Sequence, residues 1–338
     1  MPGRSLALAV MATRTPAPAP SLPAVAEIVR SGFLEGHHYG SVVALAADGS
    51  TAWTVGVADA PILPRSCNKP LQAVAMVRLG LDLPPDLLAL ACASHSGEPF
   101  HLDGVRRILQ TAGLDPTALQ TPPDYPLDDA AREDAIRAGE RRTPLAMNCS
   151  GKHAAMLLTC TLRGWDPGSY LEPDHPLQLA IGETFAELTG EPVAATAVDG
   201  CGAPLLATSL TGLARAFRRV ALARTGAEAR VAEAIRAHPE LVSGSTRDEC
   251  ALLRAIPGAI AKAGAESCYA VALADGRAFA LKVDDGAARA RPVVMAAALA
   301  RAGVDREPGV DGAAVRRTGR AELLGGGRPV GEIRECLP

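Results

Sequence analysis

Ser66 and Lys69 stand three residues apart in Pro64-Arg65-Ser66-Cys67-Asn68-Lys69-Pro70-Leu71-Gln72. If a helix begins here the two face the same way, because positions i and i+3 are neighbours on a helix surface. A hydroxyl beside an amine is the minimal equipment for nucleophilic acyl transfer, provided the amine can give up its proton. The plain alternative for Ser66 is a helix N-cap. Composition favours the chemical reading, since of 34 basic residues only four are lysines: Lys69, Lys152, Lys262 and Lys282. The chain writes arginine wherever a solvated positive charge will do. Lysine then marks places where the group must be able to lose its proton.

Two further patterns follow in order, Ser94-His95-Ser96 and Lys262-Ala263-Gly264. Serine β-lactamases and penicillin-binding proteins carry S-x-x-K, S-x-N and K-[ST]-G in the same order. There the nucleophile opens a helix, the second motif faces it, and the third lies on a strand bordering the cleft. Two ammonium groups facing one cleft depress each other's pKa, as burial does, which keeps an amine available as a base. Elsewhere, Cys149, Lys152 and His153 lie at i, i+3 and i+4 on one helical face, and Cys201 sits on a glycine-flanked turn. Two thiolates and a nitrogen suit zinc, although lysine must be deprotonated to serve as a ligand. Buried structural cysteines are the competing reading.

The elements that must position these groups follow from periodicity. Ala26–Val29, Ser41–Ala47 and Thr51–Val57 read as strands, with Asp48-Gly49 as a turn. Helical patterns cover Ser66–Leu79, Pro85–Ala93, Leu102–Ala112, Ala130–Arg141 and the stretch from Asn148 to Leu162. Pro176–Leu188, Leu205–Phe217 and Glu228–Ala237 continue the helical region, with a short strand at Ala194–Val198. Ser267–Leu273, Asp275-Gly276 and Arg277–Val283 form a hairpin signal, followed by an alanine-rich helix over Gly286–Ala302 and an edge strand in Gly325–Arg334. Strands at both ends with helices between predict an α+β fold whose antiparallel sheet is assembled from both termini.

The 338 residues carry a net charge of −3, 48% hydrophobic residues and 3% aromatics. This is ample for a sizeable core. With no basic block and few aromatic platforms, nucleic acid is not an expected partner. Eight dispersed cysteines without a CxxC point to buried thiols in a reducing cytoplasm. No stretch approaches a transmembrane span, so no membrane partner is expected. Residues 1–22 read as a disordered tail or a start placed too early, with 23–338 as one domain.

The sequence also resembles the class 3 (rhizobial-type) bacterial L-asparaginases, which have a serine β-lactamase-like fold. The resemblance spans roughly residues 24 to 336. It rests on Arg65-Ser-Cys-Asn-Lys-Pro-Leu-Gln, Ala93-Ser-His-Ser-Gly-Glu-Pro, Asn148-Cys-Ser-Gly-Lys-His-Ala, Asp199-Gly-Cys-Gly-Ala-Pro, Lys262-Ala-Gly-Ala-Glu and Ala280-Leu-Lys-Val-Asp-Asp-Gly. It implies hydrolysis of L-asparagine to L-aspartate and ammonia through an acyl-enzyme, with Ser66–Lys69 and Ser94–Lys262 as two serine–lysine pairs. Ser66 is the expected nucleophile and Lys69 its base, with Ser94 and Lys262 relaying the proton to the leaving ammonia. The resemblance further implies zinc on Cys149, Lys152 and Cys201, His153 in the substrate site, and a homodimer. For the substrate's α-carboxylate and α-ammonium, Arg65 and Asp199 are the expected partners, ordinary surface charge being the alternative. His95 and Glu98 line the cleft or fix the turn. Lys282 has Asp284 or Asp285 as an ion-pair partner.

Two departures stand out. Ser267-Cys268 replaces the usual Gly-Val after Lys262-Ala-Gly-Ala-Glu, and the loop before Tyr125-Pro126 lacks the usual Cys-Gly and His. The second bears on substrate affinity and selectivity. A β-lactam or D-alanyl-peptide hydrolase on the same fold is a rival reading, opposed by the weak export signal. A non-catalytic amino-acid-binding protein is another, opposed by the retention of both lysine partners.

Overall fold

The computed structural model describes residues 21–338. Of the expected tail over 1–22, only Ser21 and Leu22 therefore fall within the described residues.

The chain opens with strands β1 (Ala24–Arg30) and β2 (Phe33–Leu45), joined at Ser31-Gly32, both with positive φ. β3 (Thr51–Val55) and a short β4 (Pro61–Ile62) follow. The central region contributes only the short strands β5 (Thr196–Val198), β6 (Pro204–Leu206) and β7 (Thr208–Ser209). Near the C-terminus come β8 (Ile260–Gly264), β9 (Cys268–Ala272), β10 (Ala278–Val283), β11 (Ala321–Gly325) and β12 (Arg328–Glu335). The main sheet has eight strands in the order β11-β12-β1-β2-β10-β9-β8, with β3 also paired to β2. Its pairings are antiparallel. The earliest strands thus lie in the middle and the latest flank them, as expected of a sheet assembled from both termini.

β2 makes this closure work because it changes partner along its length. Its first half pairs with β1, and from Gly40 onward it pairs with β10. At that joint a Cβ on Gly40 would stand 2.6 Å from the Lys282 carbonyl oxygen, so only glycine lets the strands approach. β8 and β9 bury every residue, which a sheet does only when both faces are covered. Helices Leu210–Leu222 and Arg291–Arg301 pack on these strands. Leu210, Leu213, Ala214, Phe217 and Ala221 form the buried face of the first, at helical spacing.

Several expectations change in detail. Residues 204–209 are short strands, and the helix expected from Leu205 starts at Leu210, where the Ser209 hydroxyl accepts from Gly212 N at 2.8 Å. Short helices at Asp248–Ala255 and Gly312–Thr318 were too brief to show a periodic pattern. The terminal segment is a hairpin whose β12 lies inside the sheet, leaving β11 as the edge. Among the described residues no helix is long and apolar enough to cross a membrane.

Candidate active site

The stretch around Ser66 is a 3-10 turn over Arg65–Asn68 that runs into the helix Lys69–Arg78. Pro70 sits in the first turn, where its missing N–H costs nothing. Neither helical start carries a side-chain cap bond, so Ser66 is not an N-cap. Ser66 is half-buried, whereas Lys69 is buried. Arg65, just before it, has φ of 52°, a left-handed conformation that non-glycine residues hold only where the surrounding fold enforces it. Three contacts enforce it. Arg65 Nε donates to Asp199 Oδ1 at 2.8 Å. The Cys67 thiol donates to the Lys262 carbonyl oxygen at 3.0 Å. Gly264 on β8 comes so close that a Cβ there would lie 2.8 Å from Pro64 O and 3.2 Å from Ser66 N. The first and third sequence motifs are therefore in direct contact.

The second motif meets them through Lys69. Lys69 Nζ donates to Ser94 Oγ at 2.9 Å and to Ala93 O at 2.5 Å. Ser94 is held from behind: Ser94 N donates to Val242 O at 3.1 Å and His95 N to Asn148 O at 3.0 Å. His95 Nε2 lies 2.8 Å from Ser150 Oγ, whose own hydroxyl donates to Leu145 O at 2.8 Å. The Nε2 atom therefore carries the hydrogen. Burial, with the His101 and Lys69 charges, holds this imidazole well below its ordinary pKa and keeps it neutral. Glu98 accepts from Ser245 N at 2.9 Å and from its hydroxyl at 2.5 Å. His95 and Glu98 both fix the turn. The divergent loop at Tyr125-Pro126 packs on the same turn, with Pro126 Cβ 2.7 Å from where a Gly97 Cβ would sit.

Lys262 has a partner that the sequence did not disclose. Its Nζ donates to Glu249 Oε1 at 2.7 Å and to Ala263 O at 2.8 Å, and both Lys262 and Glu249 have 0% exposure. The serine in contact with a lysine nitrogen is thus Ser94, and the nitrogen is that of Lys69. Glu249 lies 13 residues before Lys262 on a short helix, among 37 acidic residues, and no spacing rule singled it out.

Beside this, Cys149, Lys152, His153 and Cys201 converge as the helical spacing implies. Lys152 Nζ is 3.1 Å from Cys201 Sγ. A hydrogen bond from Cys149 and the Lys152 charge, acting against burial, hold the Cys201 thiol far below its ordinary range. The same shared proton, with burial, pushes Cys149 well above it. Burial works against the Lys152 ammonium, but Cys201, Cys149 and Asp199 outweigh it and raise its pKa. The cluster is a thiol, a thiolate and an ammonium. The Tyr170 hydroxyl accepts from Gln120 N at 3.3 Å and is hydrogen-bonded to His153 Nδ1 at 2.7 Å. His153 Nε2 is buried without a protein hydrogen-bond partner. Tyr170 was also missed, although it is one of only four tyrosines.

As a donor set, two sulfurs and an amine would fit a zinc ion once Cys149 and Lys152 give up their protons to it, with the His153 Nε2 nearby. Among the described residues no group of three or more His, Cys, Asp or Glu is arranged to hold a metal, so the set depends on Lys152. Arg65 and Asp199, expected on the substrate, are paired with each other, and Glu266 lies 3.6 Å from Arg65. Lys282 does not pair with Asp284 or Asp285: its Nζ donates to Val283 O at 2.7 Å, while Asp285 lies 2.5 Å from His38.

Against known families, the sequence matches the family model of L-asparaginase II over residues 26–335. The chain belongs to the L-asparaginase II family. No curated protein matches it. Among solved structures, it is similar to a β-lactamase from Mycobacterium bovis, with 17% identity, TM-score 0.45, and 83% of this chain and 96% of that one covered. A hydrolase described as having promiscuous acyltransferase activity matches with 13% identity, TM-score 0.38, and coverage of 72% and 88%. A protein named Mglu, in its native form, matches with 14% identity and TM-score 0.31, over 72% of this chain and 56% of that one.

Proposed function

We propose that the protein is an amidohydrolase that converts L-asparagine to L-aspartate and ammonia through an acyl-enzyme on Ser66. The observation that most supports this is the Lys69 side chain, three residues after the half-buried Ser66 and with its Nζ 2.9 Å from the hydroxyl of Ser94, within a chain of the L-asparaginase II family. Ser66 Oγ attacks the side-chain amide carbon while neutral Lys69 takes the hydroxyl proton. The carbon–nitrogen bond then breaks, and the proton passes from Lys69 through Ser94 to the leaving nitrogen, releasing ammonia. Water hydrolyses the ester by the same path in reverse, returning Ser66 as the free hydroxyl.

The Arg65–Asp199 pair suits a free amino acid. Asp199 retains an oxygen for an α-ammonium and Arg65 retains N–H groups for an α-carboxylate, so four alternating charges can gather. Cys149, Lys152 and Cys201 are proposed as zinc ligands, and the ion, when bound, would supply a positive centre for substrate orientation. We also infer a cytoplasmic homodimer, which sedimentation of the purified protein tests.

The deciding experiment is ammonia release from asparagine, glutamine and β-aspartyl compounds, on wild type and Ser66→Ala. Near-normal turnover by Ser66→Ala would overturn the nucleophile assignment. Nitrocefin turnover without ammonia release from asparagine would favour a β-lactam substrate. Binding of asparagine without turnover would favour a sensor.

A further inference from the structure

We propose that Glu249 is a positioning residue that holds Lys262 as a fixed, aimed cation at the active site, so that the two lysines have different tasks. The geometry carries this. One carboxylate oxygen, Glu249 Oε1, takes both Lys262 Nζ at 2.7 Å and the backbone N of Ala263 at 2.8 Å. The side chain and the strand bearing it are thus pinned to one point. Lys262 Nζ makes a second bond to Ala263 O at 2.8 Å, so two of its three hydrogens are committed and the direction of the third is set. Lys69 differs: its Nζ donates to the neutral oxygens of Ala93 and Ser94. A lysine against neutral oxygens suits proton transfer, and a lysine locked to a buried carboxylate suits holding positive charge.

The surroundings are charge-balanced around the pair. Lys69 and Cys67 face Lys262 from the helix and turn that carry Ser66. Arg247 lies 3.7 Å from Glu249 Oε2, Arg291 reaches Asp248 at 3.0 Å, and Arg291 stands 5.5 Å over the Tyr269 ring. Burial lowers the Lys262 pKa and the Glu249 charge opposes that. Without Glu249, burial and Lys69 are opposed only by the smaller influence of Cys67, and the ammonium becomes easier to deprotonate. Lys262 then serves to hold developing negative charge and is not part of the proton relay.

The test has an arm that needs no substrate. With only four lysines, 13Cε-lysine labelling gives four resolvable side chains, and Lys262→Met assigns the one in question. In Glu249→Gln, Lys262 should lose its proton at lower pH than in wild type, and Glu249→Asp should restore most of the difference. An unchanged Lys262 titration overturns the proposal. The activity arm rests on the asparaginase reading: kcat of Glu249→Gln should fall about tenfold or more on the alkaline side with KM little changed, and Glu249→Gln should add no further loss to Lys262→Met. A further loss in that background overturns the proposal. A wild type without asparaginase activity sinks the functional reading and leaves the titration to decide this one. If Glu249→Gln does not fold, the comparison moves to Lys262→Met alone and with Glu249→Gln. The double variant should be the more stable, because the single one strands a buried carboxylate. A double variant no more stable than the single overturns the pairing.

Discussion

Three of the four lysines end with their ammonium groups buried, and each meets a different class of partner: neutral oxygens for Lys69, a carboxylate for Lys262, a thiolate for Lys152. The fourth, Lys282, is half-buried on a backbone carbonyl. Scarcity of lysine therefore pointed to buried positions, but not to their partners, because partners such as Glu249 are of a common residue type. Lys69→Arg tests the reasoning directly. A guanidinium keeps its proton, so ammonia release should drop by about 100-fold or more, at the level expected for loss of general-base catalysis. Turnover within a few-fold of wild type would show that Lys69 works only as a charge. Ser66→Ala and Ser94→Ala should both be slow. Mass spectrometry of an acyl adduct trapped from a slow ester analogue should find it on the peptide carrying Ser66, and an adduct on the Ser94 peptide would reverse the two serines' roles.

Elements set how closely these side chains can approach. β8 touches the Ser66 turn through Gly264, and an added Cβ would press on the Pro64 carbonyl, a backbone atom that cannot swing aside. Gly264→Ala should push strand and turn apart and lower kcat by about tenfold or more, since small misplacements of a catalytic group are costly. Unchanged kcat would mean that this contact does not set the cleft. The sulfur cluster joins the helix Ser150–Arg163 to the turn after β5. Cys201→Ser should abolish zinc uptake measured by metal analysis, and a metal-free wild type that is fully active would remove zinc from the reaction. Long elements were legible in the sequence because their apolar spacing persists over several turns or pleats. The helices Asp248–Ala255 and Gly312–Thr318 were not, being too short to repeat a pattern. The first of them carries Glu249, so a missed element hid a missed residue.

At the scale of the whole molecule, buried neutral histidines make stability depend on acidity. Burial, ahead of other influences, lowers the pKa of His95 and of His101 in the folded chain from about 6.5. Between that value and the lower folded ones the unfolded chain binds more protons, so stability is full above about pH 6.5 and falls as the pH drops through that range. Glu249 adds a second loss below the ordinary carboxylate range. Burial opposes its charge, Lys262, Arg247 and Arg291 outweigh that, and its folded pKa is lowered, so its contribution disappears only as it is protonated in stronger acid. Urea midpoints at pH 7, 6 and 5 should decline in that order, with His95→Gln flattening the slope; a midpoint independent of pH would refute the account.

The sheet's order has a consequence for how the chain comes to life. The turn bearing Ser66 emerges early in synthesis, but β8 and β9, which pack against it, come from residues 260–272. Contacts this distant in sequence form late, after a large loop-closure cost. A nascent chain ending before β8 carries the serine without its opposing wall, and its central strands present bare edges on which helper proteins or other chains can act. Assembly around Ser66, the proposed nucleophile, is thus tied to the arrival of the C-terminal strands, and a chain that lacks them should be inactive until they dock.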